Sequence, residues 1–162
     1  MRKTLLILIL LPGFCFAQVN WFEKETFFFA STEIDVKNAF FEGTVNPRAY
    51  DGMFNFGYRN RSFQAQATYE NFKAIDFYSF GIKVGHVFNH ERVWNYLLLG
   101  GFELIQRNVP WLHEVLHFSA SVSGQLEYHY KNFFVLLRLE GRLRSDIDKL
   151  KGSGSGGIGY KF

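Results

Sequence analysis

The sequence has few of the features that mark disulfide-rich, helical-membrane or nucleic-acid-binding proteins. Cys15 is the only cysteine among its 162 residues, so no disulfide can form within the chain. Beyond the first 17 residues, no apolar run approaches the roughly 20 residues of a transmembrane helix. The formal charge of +3 includes Arg2 and Lys3, and the remaining 16 basic and 15 acidic side chains nearly cancel. This balance gives no argument for nucleic-acid binding.

The N-terminus has the pattern of a secretory signal peptide over residues 1–17. Arg2 and Lys3 form the charged start, residues 4–11 are apolar, and Cys15 and Ala17 supply small residues before the cleavage point. A lipoprotein attachment at Cys15 is disfavoured because the bulky Phe14 precedes it. We therefore expect residues 1–17 to be removed and residues 18–162 to form one domain.

Residues 116–130 show the clearest periodicity in the chain. Every even position in this segment is apolar or small, and every odd position is polar. Because successive side chains of a strand point to opposite faces, this alternation predicts a strand with one apolar face and one polar face. Its 15 residues exceed the roughly 9–11 residues that a tilted transmembrane strand requires.

Similar alternation recurs along the chain and predicts eight strands. They are residues 26–37, 54–59, 63–70, 78–88, 94–105, 116–130, 133–144 and 155–162. Short turns at residues 60–61, 89–92 and 131–132 alternate with longer connections that include loops at 38–52, 107–115 and 145–151. A flat meander of this size would leave two exposed edges, so we predict closure into an antiparallel up-and-down β-barrel.

Aromatic residues indicate that this barrel spans a membrane. They make up 19% of the chain, including 20 Phe. Near the short turns, the apolar faces carry Phe28, Tyr58, Phe63, Phe88, Trp94, Tyr130, Phe133 and Phe162. Such a belt is typical of the lipid–water interface of a transmembrane barrel. A soluble lipocalin-like barrel would instead crowd most of these rings into a narrow interior.

The opposite faces place charges of both signs inside the predicted barrel. These are Glu33, Asp35, Arg59, Glu70, Lys83, Glu103, Glu127, Arg138, Glu140, Arg142, Arg144 and Lys161. Enclosed charges are tolerated when they are paired, so we expect a salt-bridge network that fills the lumen. A charged path for a permeating solute is the alternative, but eight strands leave little space beyond their own side chains. Gly157 and Gly159 are expected to leave room for the arginines of the seventh strand.

The end of the chain resembles a known assembly signal. Ile158, Tyr160 and the terminal Phe162 are similar to the C-terminal signal of bacterial outer-membrane proteins, and the whole barrel is similar to the small OmpX and OmpA-barrel type. This resemblance implies export to the outer membrane of a Gram-negative bacterium and insertion by the outer-membrane assembly machinery. It also implies contact with outer-membrane lipid and lipopolysaccharide, but no particular activity. We expect a monomer without a cofactor.

Two short motifs suggest alternative, enzymatic functions. His113, Glu114 and His117 match the H-E-x-x-H zinc pattern, which requires a helix to bring both histidines onto one face. Pro110 and the strand pattern at His117 oppose that helix. His117 and Ser119 also resemble the His-x-Ser of outer-membrane lipid A deacylases, but both are predicted to face the lumen instead of lipid. We therefore favour a non-enzymatic structural or surface-interaction barrel over a lipid hydrolase or a zinc site.

Overall fold

Eight antiparallel strands form the described part of the protein in a computed structural model. The structure describes residues 26–36, 51–72, 77–89, 93–107, 116–145 and 149–162. The strands are β1 (Phe27–Asp35), β2 (Asp51–Arg59), β3 (Phe63–Phe72), β4 (Phe77–Phe88), β5 (Trp94–Arg107), β6 (Leu116–Tyr130), β7 (Phe133–Arg144) and β8 (Lys149–Lys161). Within those ranges, no helix combines the length and apolarity needed to cross a membrane. The predicted signal peptide lies outside the described residues.

The strands close into a barrel in which each strand pairs with its neighbours in sequence. The order is β1 to β8, and β8 returns to pair antiparallel with β1. Ser31 of β1, for example, stands opposite Asn55 on one side and Gly159 on the other. Closure leaves neither β1 nor β8 as a free sheet edge along their paired residues. The predicted all-β, eight-stranded antiparallel up-and-down barrel is therefore confirmed.

Three strands extend into predicted loops because they pair there with their neighbours. β8 begins at Lys149, inside the predicted loop 145–151, and its first residues pair with the end of β7. β2 begins at Asp51, inside the predicted loop 38–52, and pairs there with Phe72 of β3. β5 continues to Arg107, which pairs with Phe77. In each case, hydrogen bonding to a neighbouring strand outweighs the local glycine and polar signals.

The outer wall of the barrel is apolar. Leu139 and Leu150 expose 74% and 73% of their surface, and bulky apolar side chains alternate with buried residues along the strands. The exposed set includes Phe28, Phe54, Phe56, Phe80, Ile82, Phe88, Trp94, Tyr96, Leu98, Phe102, Phe118, Val122, Tyr130, Phe133, Val135, Leu137, Ile158 and Phe162. So large an apolar surface on a monomer marks a contact with lipid or another apolar phase.

The interior combines apolar packing with polar side chains. We call the end with the short connections β2–β3, β4–β5 and β6–β7 the turn side, and the opposite end the loop side. Phe29, Phe134 and Leu136 form one buried apolar cluster, and Val87, Leu97 and Leu99 form another. Both clusters lie in the turn-side half, where Phe29 and Phe134 contact edge to face at 5.9 Å.

Two glycines of β8 make room for groups other than those predicted. A methyl group on Gly159 would collide with the buried ring of Phe134, and one on Gly157 would collide with the backbone of Thr32 and the side chain of Glu33. The expectation that these glycines make way for the β7 arginines is therefore wrong. Because glycine has no side chain, Gly159 leaves room in the lumen for the ring of Phe134, and Gly157 leaves room for Glu33.

Candidate functional site: the lumen

The structure places the predicted lumen residues at different depths. Glu33, Asp35, Arg59, Glu70, Lys83, Glu103, Glu127, Arg138, Glu140 and Arg142 are buried. Arg144 and Lys161, near opposite ends of the barrel, are only half-buried. Their inward direction follows from the strand alternation, because each shares its face with other buried residues. Most of the buried members form two connected groups, one near the middle and turn side and one near the loop side.

Arg59 and Glu127 clamp the barrel across its interior near the turn side. Arg59 donates to both carboxylate oxygens of Glu127, from Nη1 at 2.6 Å and Nη2 at 2.7 Å. Nε of Arg59 also donates to Gln64 Oε1 at 2.6 Å, and His129 Nε2 lies 2.7 Å from Glu127 Oε2. Bidentate arginine–carboxylate pairs are among the strongest and most directional contacts in proteins. This one joins β2 to β6 across the lumen.

A chain of amide side chains continues from this clamp toward β1. Gln64 Nε2 donates to Gln66 Oε1 at 2.6 Å, and Gln66 Nε2 donates to Asn55 Oδ1 at 2.9 Å. Asn55 Nδ2 then donates to Glu33 Oε1 at 2.6 Å. Each of these amides uses its NH₂ as donor and its oxygen as acceptor, so the chain has one consistent direction. Ser155 of β8 donates a further hydrogen bond of 2.6 Å to Glu33 Oε2.

Arg138 closes this chain into a ring. Its Nη2 forms an ion pair with Glu33 Oε1 at 2.9 Å, and its Nε donates to Gln125 Oε1 at 2.9 Å. Gln125 Nε2 then donates to Glu127 Oε1 at 2.5 Å, which returns to the clamp. We call this closed set the lumen ring, and its members are Glu33, Asn55, Arg59, Gln64, Gln66, Gln125, Glu127 and Arg138.

A second group, the loop-side cluster, consists of Lys83, Arg142, Glu70, Glu103 and Glu140. The Arg142 guanidinium lies 2.6 Å from Glu70, 3.0 Å from Glu103 and 2.8 Å from Glu140. Lys83 pairs with Glu140 and lies 3.3 Å from Glu103. The carboxylates come from β3, β5 and β7, so two cations connect distant parts of the wall. Such buried charges are stable only while their partners remain, since an uncompensated buried charge is costly.

Sequence reasoning missed some members of this interior. Asp51 is buried, and its Oδ1 has no hydrogen-bond partner among the described residues. It was assigned to a loop, although extending the β2 alternation back through Met53 would have placed it inside. The amides of the lumen ring lie on the same strand faces as the predicted charges, and no local pattern marks them as the links between those charges.

The structure describes only part of the two enzymatic motifs. Ser119 is buried and donates its hydroxyl hydrogen bond to Glu103 at 2.7 Å, so it faces the lumen cluster. His117 is half-buried and lies two residues earlier on the same strand. His113 and Glu114 of the zinc pattern lie outside the described residues. Within the described ranges, no group of three potential ligands is placed to hold a metal ion.

A closed antiparallel barrel of eight strands with an apolar outer wall and a polar interior defines the class of small transmembrane β-barrels. No protein-family model matches the chain, and no curated protein matches its sequence. Solved structures do match its fold.

The barrel domain of OprF from Pseudomonas aeruginosa superposes with a TM-score of 0.66 at 14% identity, covering 86% of this chain and 98% of that one. Neisserial surface protein A gives 0.57 at 15% identity, covering 85% and 97%. The outer-membrane protein Ail of Yersinia pestis gives 0.52 at 16% identity, covering 85% and 100%. The chain therefore has the fold of the small eight-stranded outer-membrane barrels.

Proposed function

We propose that the chain is a non-enzymatic, integral outer-membrane barrel with a structural or surface-interaction role. The observation that carries this proposal is the contrast between the apolar outer face and the charged inner face of the barrel wall. Leu137, Leu139 and Phe102 each expose more than half of their surface, whereas Glu33, Glu103 and Glu127 expose 1% or less. Water would favour the reverse arrangement, so the surrounding phase is the hydrocarbon of a membrane.

The proposal includes a lumen that is filled by its own side chains and is not an open pore. Arg59 reaches from β2 to Glu127 on β6, and Arg142 reaches from β7 to Glu70 on β3. These bridges cross the interior at two levels, and the apolar clusters around Phe134 and Leu97 occupy further space. An eight-stranded barrel is just wide enough for such filling.

The direction of the Ser119 side chain argues against the lipid-hydrolase alternative. Ser119, the candidate nucleophile, directs its hydrogen bond to a buried carboxylate and faces away from lipid. A lipid hydrolase would need that hydroxyl at the lipid-facing surface beside a base. One of the solved structures with the same fold is named as a surface protein. By analogy, we place the contacts of this chain with surface partners in the connections between strands on the loop side.

The cellular setting follows from the same proposal. The chain is exported through a signal peptide that is cleaved after Ala17 and is inserted as a monomer by the outer-membrane assembly machinery. Its outward Ile158, Tyr160 and Phe162 are exposed on β8, where that machinery would read them. Its apolar wall contacts outer-membrane lipid, including lipopolysaccharide in the outer leaflet.

Fractionation of cells that express the full chain tests this proposal. The processed protein is expected in the outer-membrane fraction, lacking its first 17 residues, as a band whose mobility changes on boiling. A closed barrel resists unfolding by detergent until heated, which produces that change. Recovery of the protein as a soluble periplasmic species would contradict the proposal, and an uncleaved N-terminus would contradict the signal-peptide assignment.

A further inference from the structure

The described side chains separate acidic from basic charge. Every Asp and Glu side chain in the described ranges is buried: Glu33, Asp35, Asp51, Glu70, Glu103, Glu127 and Glu140. Among the charged side chains described, only Lys131 and Lys151 are exposed, and Arg61, Arg144 and Lys161 are half-buried. The exposed charged side chains that the structure describes are therefore both positive.

Lys131 occupies a backbone position that disfavours its side chain. It lies in the two-residue turn between β6 and β7 with φ of 53°, in the left-handed region. The other non-glycine residue with positive φ in the described ranges is Asn89, a type that tolerates this conformation. Lysine has no such advantage, and strained positions of this kind accumulate where a side chain serves a function. The exposed Lys131 therefore points to a role for its ammonium group.

The surroundings of Lys131 are those of a membrane interface. Its Nζ lies 5.6 Å from the ring centre of Tyr130, which is 62% exposed. Beside this turn, Tyr160 contacts Phe133 at 5.0 Å and Phe162 at 5.3 Å between ring centres. Exposed aromatic rings settle at the level of lipid headgroups, and lysine side chains extend from that level toward phosphate.

We propose that Lys131, Tyr130, Phe133 and Phe162, here called the turn rim, bind the phosphate headgroup of an anionic phospholipid. The aromatic rings would lie against the first part of the acyl chains, and the Lys131 ammonium would contact the phosphate oxygens. This inference rests on the proposed membrane location, in which the short turns face the periplasm and the phospholipids of the inner leaflet. An anionic lipid is favoured because Lys131 is the only exposed charged side chain described on this side.

Lipid selection by the full mature chain tests the turn rim. The protein is inserted into vesicles of phosphatidylcholine and phosphatidylglycerol, extracted in mild detergent, and analysed for the lipid that it retains. Wild type should retain phosphatidylglycerol above its share in the vesicle. Lys131→Asn, which suits a positive φ, should lower the ratio of retained phosphatidylglycerol to phosphatidylcholine by about fivefold. Lys131→Arg keeps the charge and should keep the enrichment.

Lys151→Asn is the matched control, because it removes an equally exposed lysine from the loop side. It should leave the retained ratio unchanged. Equal ratios in wild type and Lys131→Asn would overturn the turn rim, and so would an equal loss in Lys151→Asn. Displacement of the lipid by millimolar inorganic phosphate would overturn the lipid as ligand. Failure of the wild type to insert at all would overturn the proposed membrane location. Insertion without selection between the two lipids would overturn only the turn rim.

Discussion

Glu140 is a shared partner of both buried cations of the loop-side cluster. Glu140 contacts both Lys83 and Arg142, and these two cations are almost completely shielded from solvent. Water cannot replace a missing partner at this depth without opening the barrel. Removing Glu140 would leave Lys83 with only the more distant Glu103, at 3.3 Å, and would leave Arg142 with Glu70 and Glu103. The loss of these buried contacts measures the contribution of Glu140.

Replacing Glu140 with Ala is expected to destabilise the barrel by about 3–5 kcal/mol, because it removes a shared partner of two buried cations. The measurement is the free energy of unfolding in urea for the refolded protein. Lys151→Ala, at an exposed position near the same end, should change that free energy by no more than about 0.5 kcal/mol. Equal effects of the two substitutions would contradict the buried network and indicate that Glu140 is hydrated.

Gly159 provides a second test at the scale of one residue, because its missing side chain admits the ring of Phe134. Gly159→Ala should cost about 1–3 kcal/mol in the free energy of unfolding, since the buried ring has little freedom to move. Gly124→Ala is the control, because nothing lies within 4 Å of the added methyl group. Should both substitutions prove equally mild, the packing of Phe134 against Gly159 would be disproved.

Residue pairs show how far the sequence allows prediction. The alternation of β7 predicts an inward direction for Arg138 and Arg142, but it does not identify their partners. Arg142 meets Glu70, which lies 72 residues earlier in the chain, and Arg59 meets Glu127, 68 residues later. Such contacts depend on the stagger of every intervening strand and on closure of the barrel. No local pattern contains that information.

Strand β8 shows, at the scale of an element, which features the sequence predicts and which depend on pairing with a neighbouring strand. Its end was predicted from the alternation of Ile158, Tyr160 and Phe162, but its beginning was missed. Residues 149–154 are lysine, leucine, glycine and serine, a composition that predicts a loop. They form a strand because Leu139 to Arg144 of β7 pair with them. Tertiary pairing decides the structure where intrinsic preference is weak.

Deletion of Phe162 is expected to impair insertion in cells, because it removes the terminal member of the exposed series Ile158, Tyr160 and Phe162. The measurement is the amount of heat-modifiable protein in the outer membrane, together with the amount degraded or aggregated. Leu150→Ala is the control on the same strand, since Leu150 is equally exposed but lies at the other end. Normal insertion after the deletion would remove Phe162 from the assembly signal.

For the whole molecule, the sequence pattern predicts closure of the barrel. It followed from an even number of alternating strands and from the cost of two open edges, and the pairing of β1 with β8 confirms it. The ring geometry then brings β2 opposite β6 and β3 opposite β7, which allows the lumen ring and the loop-side cluster to form. The interior network thus follows from the strand order together with the alternation that directs every second side chain into the lumen.

The conductance of the purified wild-type chain in planar bilayers tests the filled lumen most directly. Insertion is first verified by the mobility change on boiling. The cross-lumen bridges from Arg59 to Glu127 and from Arg142 to Glu70 should leave no continuous water path, so no steady single-channel current is expected. Large, steady single-channel currents from the inserted wild type would show that these charges line an open path, which would contradict the proposal.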